Sequence, residues 1–173
     1  FLKHNPDLMK TRVKAGPTAE KQRHQQLIQT IDSISFISIL LTPGLDHHFL
    51  GSTLPWPLSI TGDILIIIGL TFVAFVFREN TFTSAVIEIQ TNQHVITTGP
   101  YAHIRHPMYA GASLMLLGVP LALASLYAYI PVLILIIVII ARLLDEERYL
   151  TIHLPGYTDY CHTVCYRLIP HLW

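Results

Sequence analysis

The stretch Leu58–Phe77, LSITGDILIIIGLTFVAFVF, decides the fold. A helix needs about 20 predominantly apolar residues to cross a hydrocarbon core of about 30 Å, and this run supplies them with a single charge, Asp63. Trp56 just ahead of it fits an interfacial aromatic, and Arg78-Glu79-Asn80 closes it. The composition agrees: 51% of the chain is hydrophobic and 13% charged, and mean hydropathy is +0.48. Soluble domains average about 25% charged residues, so the deficit points to a bilayer as solvent. A formal net charge of zero leaves no basic surplus to neutralise nucleic-acid phosphates. Two cysteines, Cys161 and Cys165, make no disulfide framework.

Toward the N-terminus, Leu27–Leu41 (LIQTIDSISFISILL) is apolar but short. It predicts a first span extended by Gln25, Gln26 and Thr42, with Asp32 turned toward other helices or water. Pro43-Gly44 is expected to end that helix and to open an outer loop reaching Pro57. Residues 1–26 are polar and basic and read as a juxtamembrane segment, with Thr18 a candidate N-cap. The chain opens on Phe1 without a Met, so a preceding segment is expected. Toward the C-terminus, a third span is predicted over Met108–Leu123 and a fourth over Ser125–Leu144, joined by an uncharged hairpin. Gly111, Ala112, Gly118, Ala122 and Ala124 are small enough for close helix contact. Beyond Arg142 the chain is polar, Pro155-Gly156 breaks the helix, and a short amphipathic helix is expected to carry Tyr157, Tyr160, Val164 and Leu168 along one side. The fold class is therefore all-α: a multispan membrane bundle of about four spans. Residues 1–57 form an N-terminal segment with the first span and outer loop, and residues 58–173 form a second unit.

Charge fixes the expected orientation. Every Lys and Arg falls in residues 1–26, at Arg78, at Arg105, or at Arg142 and beyond; the connections at 43–57 and 120–131 have none. Four spans then put the N-terminus, residues 78–106 and the C-terminal tail on one face, which the positive-inside rule makes cytoplasmic.

On that face lies Gln90–Gly111, QTNQHVITTGPYAHIRHPMYAG, the most polar stretch between spans. Its polar groups and turn chemistry, wedged between apolar segments, suggest a site at the membrane boundary; an ordinary solvated loop is the alternative. Pro107 suits the first turn of a helix, whose free N–H groups favour an anion, with Arg105 and His106 as added donors. Arg142 and Glu146 stand four apart at the end of the fourth span, hence on one helix face. They read either as a surface ion pair or as two ligand-binding groups: a guanidinium fork for a carboxylate and a carboxylate for an ammonium. Cys161, His162, Cys165 and nearby His153 lack the spacing of a zinc site, so no metal is expected.

The run GPYxxxRHPMYxG, a hydrophobic hairpin, RLLDEERYL and the tail LPGYTDYCHTVCYRLIPHLW together resemble the isoprenylcysteine carboxyl methyltransferase family, and more loosely the phospholipid N-methyltransferases. The resemblance covers residues 58–173. It implies a membrane enzyme using S-adenosylmethionine, with Gln90, Gln93, His94, Val95, Ile96, Tyr101, Arg105, His106, Pro107, Met108 and Tyr109 around the cofactor. It implies that Glu146, or Glu147 in exchange, holds the methionine moiety, and that Arg142 is catalytic and faces the substrate carboxylate. The partners it implies are the lipid bilayer and a lipophilic or prenylated substrate; short loops point to a bacterial inner membrane with a cytoplasmic site. Phospholipid or other amine N-methylation is the second reading, and a non-catalytic scaffold or a lipid reductase follow. No Gly-rich dinucleotide fingerprint and no hydrolase motif compete with it.

Overall fold

A computed structural model describes residues 18, 23–84, 86–90 and 92–173. Five α-helices carry them: α1 (Arg23–Phe49), α2 (Trp56–Glu79), α3 (Pro107–Ala122), α4 (Tyr129–His153) and α5 (Tyr157–Thr163), with short 3-10 turns at Gly99–Ala102 and Leu126–Ala128. There is no strand among the described residues. The helix start expected around Pro17 falls outside the described residues, Thr18 aside.

Three helices, α1, α2 and the Leu126–His153 segment, are long and apolar enough to cross a membrane. The expected third span is shorter: α3 has 16 residues, or about 24 Å at 1.5 Å per residue, and starts at Pro107 as expected. The fourth begins later than expected, because a 3-10 turn takes up the hairpin before Tyr129.

The first span corrects the sequence reading. Pro43-Gly44 does not end it, and the expected outer loop is reduced to the few residues after Phe49. Pro43 is buried on the inward face, where α1 tolerates the missing donor. Termination comes at Gly51, whose φ of +65° is the left-handed conformation that suits glycine. The N–H groups of Leu50 and Gly51 both fold back onto the Asp46 carbonyl, at 2.8 and 3.0 Å. Asp46, expected in the loop, is a buried helical residue accepting a hydrogen bond from Ser125 Oγ.

The bundle is built of two pairs. α2 lies along α3 and α1 along α4. Gly62 and Gly69 on α2 face Gly118 and Gly111 on α3, spaced seven apart in both helices. A Cβ on Gly62 would stand 2.3 Å from the Ala122 backbone nitrogen, and one on Gly69 2.8 Å from the Gly111 carbonyl oxygen. The two backbones touch, the geometry expected where small residues replace side-chain bulk at a membrane helix contact. Ile39, Leu116, Val132, Leu135 and Ile139 then seal α1, α3 and α4 together. Residues 80–106 and the chain after α4 fold over one end of this bundle. There the expected amphipathic segment buries Tyr157, Tyr160 and Val164 with Leu154, but its helix stops at Thr163, short of Leu168.

Candidate active site

At that end a cavity of about 100 Å³, partly open to solvent, lies between the 80–96 segment, the start of α3 and the end of α4. The loop forming its lid is held by its own polar groups. Asn80 Nδ2 donates to Tyr101 Oη at 2.9 Å, and Asn80 Oδ1 accepts from the Phe82 N–H at 2.9 Å. Gln90 Nε2 donates to the Phe82 carbonyl at 2.8 Å, while its N–H donates to Gln93 Oε1 at 2.8 Å. Phe82 and His94 meet edge to face at 5.0 Å. Gly99 enters the turn before α3 with φ +57°, and Thr98 Oγ1 donates to Glu79 beside it.

The floor is pinned by the C-terminal tail. The N–H groups of Arg105 and His106, just before the Pro107 helix start, donate to the Tyr166 and Arg167 carbonyls, both at 2.9 Å. Tyr160 Oη donates to the Tyr101 carbonyl at 2.7 Å. Glu147 is the knot of this arrangement. Its Oε1 lies 3.2 Å from Arg105 Nη1 and 3.3 Å from His106 Nε2, and its Oε2 accepts from Arg167 Nε at 2.8 Å. An ionised carboxylate has no proton to give, so His106 Nε2 is the donor in that contact.

Glu146, its neighbour, points elsewhere. Adjacent helical residues diverge by about 100°, and Glu146 lines the cavity, where Oε2 accepts from Tyr109 Oη at 2.7 Å. Arg142, one turn earlier on α4, lines the same cavity. A guanidinium, a phenol and a carboxylate thus form a row on one wall. Burial pushes the phenols of Tyr157 and Tyr160 well above the ordinary range, with nearby Cys161 adding to the shift, so both remain neutral donors. The Tyr157 hydroxyl lines the cavity, is buried, and has no hydrogen-bond partner among the described residues.

Of the residues singled out from the sequence, Gln93, His94, Val95, Ile96, Tyr101, Arg105, His106, Met108, Tyr109, Arg142 and Glu146 line this one cavity. Gln90, Pro107 and Glu147 do not. Gln90 braces the lid, Pro107 is fully buried at the first turn of α3, and Glu147 ties the floor. Sequence reasoning missed Asn80, Thr83 and Glu88 on the lid and Tyr157 at the back. The first three lie in a segment without periodicity; Tyr157 was read only as one face of an amphipathic helix. No group of three or more His, Cys, Asp or Glu among the described residues could hold a metal ion.

The fold and site are those of a helical membrane bundle with a polar cavity at one end, walled by Arg105, His106, Tyr109, Arg142 and Glu146. The family model of the phospholipid methyltransferases matches residues 58–154, and the chain belongs to that family of membrane methyltransferases. No curated protein matches it.

Proposed function

We propose that the chain is an S-adenosylmethionine-dependent methyltransferase that esterifies the carboxylate of a lipophilic, isoprenylcysteine-like acceptor. One observation carries the reading: Arg142 and Glu146, a turn apart on α4, line a single cavity together with Tyr109, whose hydroxyl donates to Glu146. That pairs a site for a carboxylate with a site for an ammonium.

The residues present fit the cofactor. Glu146 supplies a counter-charge for its amino group, the buried Tyr157 hydroxyl a polar contact, and Val95, Leu150 and Leu154 apolar walls for an adenine. Bound there, the cofactor would supply an electrophilic methyl on a sulfonium. The rest is the chain's own work. A carboxylate is already ionised at neutral pH, so the acceptor needs no general base. Arg142 grips it in the plane of the guanidinium and aims one oxygen into the cavity. Met108, Ile87 and Leu150 keep water from it, which leaves the nucleophile less solvated. The lipophilic part of the acceptor stays among the spans, and the positive-inside pattern supports a cavity facing the cytoplasm.

The family match keeps a second acceptor in view, the amine of a phospholipid headgroup, which must lose a proton on transfer and whose reacting nitrogen has no use for a guanidinium partner. Calorimetric titration of the purified protein with S-adenosylhomocysteine, beside Glu146→Ala, tests the cofactor; binding absent from a folded wild type refutes it. Arg142→Ala then separates the acceptors. It is expected to keep product binding and lose transfer to N-acetyl-S-farnesylcysteine, whereas unchanged transfer to phosphatidylethanolamine vesicles would install the amine reading.

A further inference from the structure

The family match begins at residue 58, yet the groups that hold Arg142 come from before it. Gln25 and Gln29 stand one turn apart on the inward face of α1, and Asp32 follows at the next turn. Arg142 Nη1 donates to Gln25 Oε1 at 3.1 Å. With the Gln29 amide turned so that its oxygen faces the guanidinium, that oxygen accepts from Nη1 at 2.8 Å and from Nη2 at 3.3 Å. Gln25 cannot turn away, because its Nε2 donates to Asp145 Oδ2 at 2.7 Å. Its amide is used at both ends, and the residue is 2% exposed. Neither glutamine lines the cavity; both reach Arg142 from behind.

A guanidinium ends a long, flexible stem, and its value for a planar carboxylate lies in the direction of its fork. Two amides on one helix face, one of them locked by an acid on the opposite helix, fix that direction before any acceptor arrives. We infer that α1 belongs to the acceptor end of the site, with Gln25 and Gln29 as positioning residues that set the plane of Arg142. The inference rests on the assignment of acceptor binding to Arg142 made above. It divides the labour between segments: the cofactor end is built within residues 80–160, and the acceptor end is completed by a helix outside the family-matched segment.

The test uses the full chain in detergent, with Gln25→Ala, Gln29→Ala, the double variant, and Leu27→Ala on the exposed face of α1 as control. Nitrogen NMR of labelled arginine side chains, with the Arg142 signals identified by their loss in Arg142→Lys, reads the guanidinium directly. Its two Nη environments are expected to be resolved in the wild type and Leu27→Ala, and averaged in the double variant. S-adenosylhomocysteine affinity stays within about twofold, and KM for N-acetyl-S-farnesylcysteine rises about tenfold at little-changed kcat, the mark of lost uniform binding. An unaltered Arg142 spectrum in the double variant overturns the inference. So does an unaltered KM in a protein that turns the probe over, or an equal loss of S-adenosylhomocysteine binding. A wild type that methylates neither this probe nor phosphatidylethanolamine vesicles refutes the proposed function alone, and the spectrum still decides the positioning. Gln29→Ala, which leaves the Gln25–Asp145 bond intact, gives a partial effect if the double variant does not fold.

Discussion

Two adjacent acids, Glu146 and Glu147, are expected to separate binding from stability. Glu147→Gln keeps the side-chain volume and removes the charge that faces Arg105, His106 and Arg167. The Arg105 and Glu147 side chains are 9% and 10% exposed, so the guanidinium left behind is buried without its counter-ion. Breaking a buried pair by removing one partner costs about 3–5 kcal/mol. Arg167, at 31% exposed, recovers part of its loss by hydration, which favours the low end, about 3 kcal/mol. At about 2–4 °C per kcal/mol for a chain of this size, the unfolding midpoint falls by roughly 6–12 °C. Glu146→Gln gives up one charge-assisted bond from Tyr109, about 1 kcal/mol, and shifts the midpoint by roughly 2–4 °C. Product binding behaves in reverse: Glu146→Gln weakens S-adenosylhomocysteine at least tenfold, and Glu147→Gln, measured well below its midpoint, leaves it within about threefold. Thermal unfolding in detergent together with calorimetry reads both. Equal midpoints for the two variants, or a Glu147→Gln protein that is stable but fails to bind, would refute the division of roles.

Gly62→Ala places a methyl 2.3 Å from the Ala122 backbone nitrogen, so α2 and α3 must separate; a loss of about 1–3 kcal/mol is expected, and an unchanged unfolding midpoint would contradict the backbone contact. Tyr157 and Tyr160 have phenol pKa values raised by burial. The unfolded phenols ionise near pH ~10, so the stability these two residues contribute is complete below that pH and is lost as pH climbs through their folded values. Spectroscopic phenolate titration of the folded protein should show Tyr157 and Tyr160 among the phenols still neutral past that point, and Tyr157→Phe and Tyr160→Phe should each remove one late-titrating group. Gly51→Val forces a branched residue to a φ of +65° and should fray the end of α1, seen as faster hydrogen exchange at Leu50, with product binding unaffected.

What the sequence makes legible follows physical signals that act over short range. Hydropathy finds α2 and the core of α4, because a bilayer selects composition residue by residue. Pro107 marks the start of α3, since a helix has no use for its first N–H groups. The four-residue spacing of Arg142 and Glu146 puts both on one wall. Proline misleads at Pro43, where the helix continues, because the cost of a missing donor depends on what surrounds it; Gly51, seven residues past Gly44, carries the actual stop. Glu147 could have been set apart from Glu146 by helical geometry alone, since neighbours on a helix cannot share a face. The grip of Gln25 on Arg142 spans 117 residues of chain, and the lid over 80–96 repeats at no period; neither leaves a local pattern to read.

The tie between Arg105 and the tail sets an order of events during synthesis. Arg105 leaves the ribosome 60 residues before Cys165, whose carbonyl it reaches at 3.3 Å. At about 5–20 residues per second that is a wait of roughly 3–12 s. Over that interval the Glu147 carboxylate emerges first, and the Tyr166 and Arg167 carbonyls that accept the Arg105 and His106 N–H groups follow last. The floor of the cavity therefore cannot be completed until translation has passed Arg167, whose carbonyl accepts the His106 N–H.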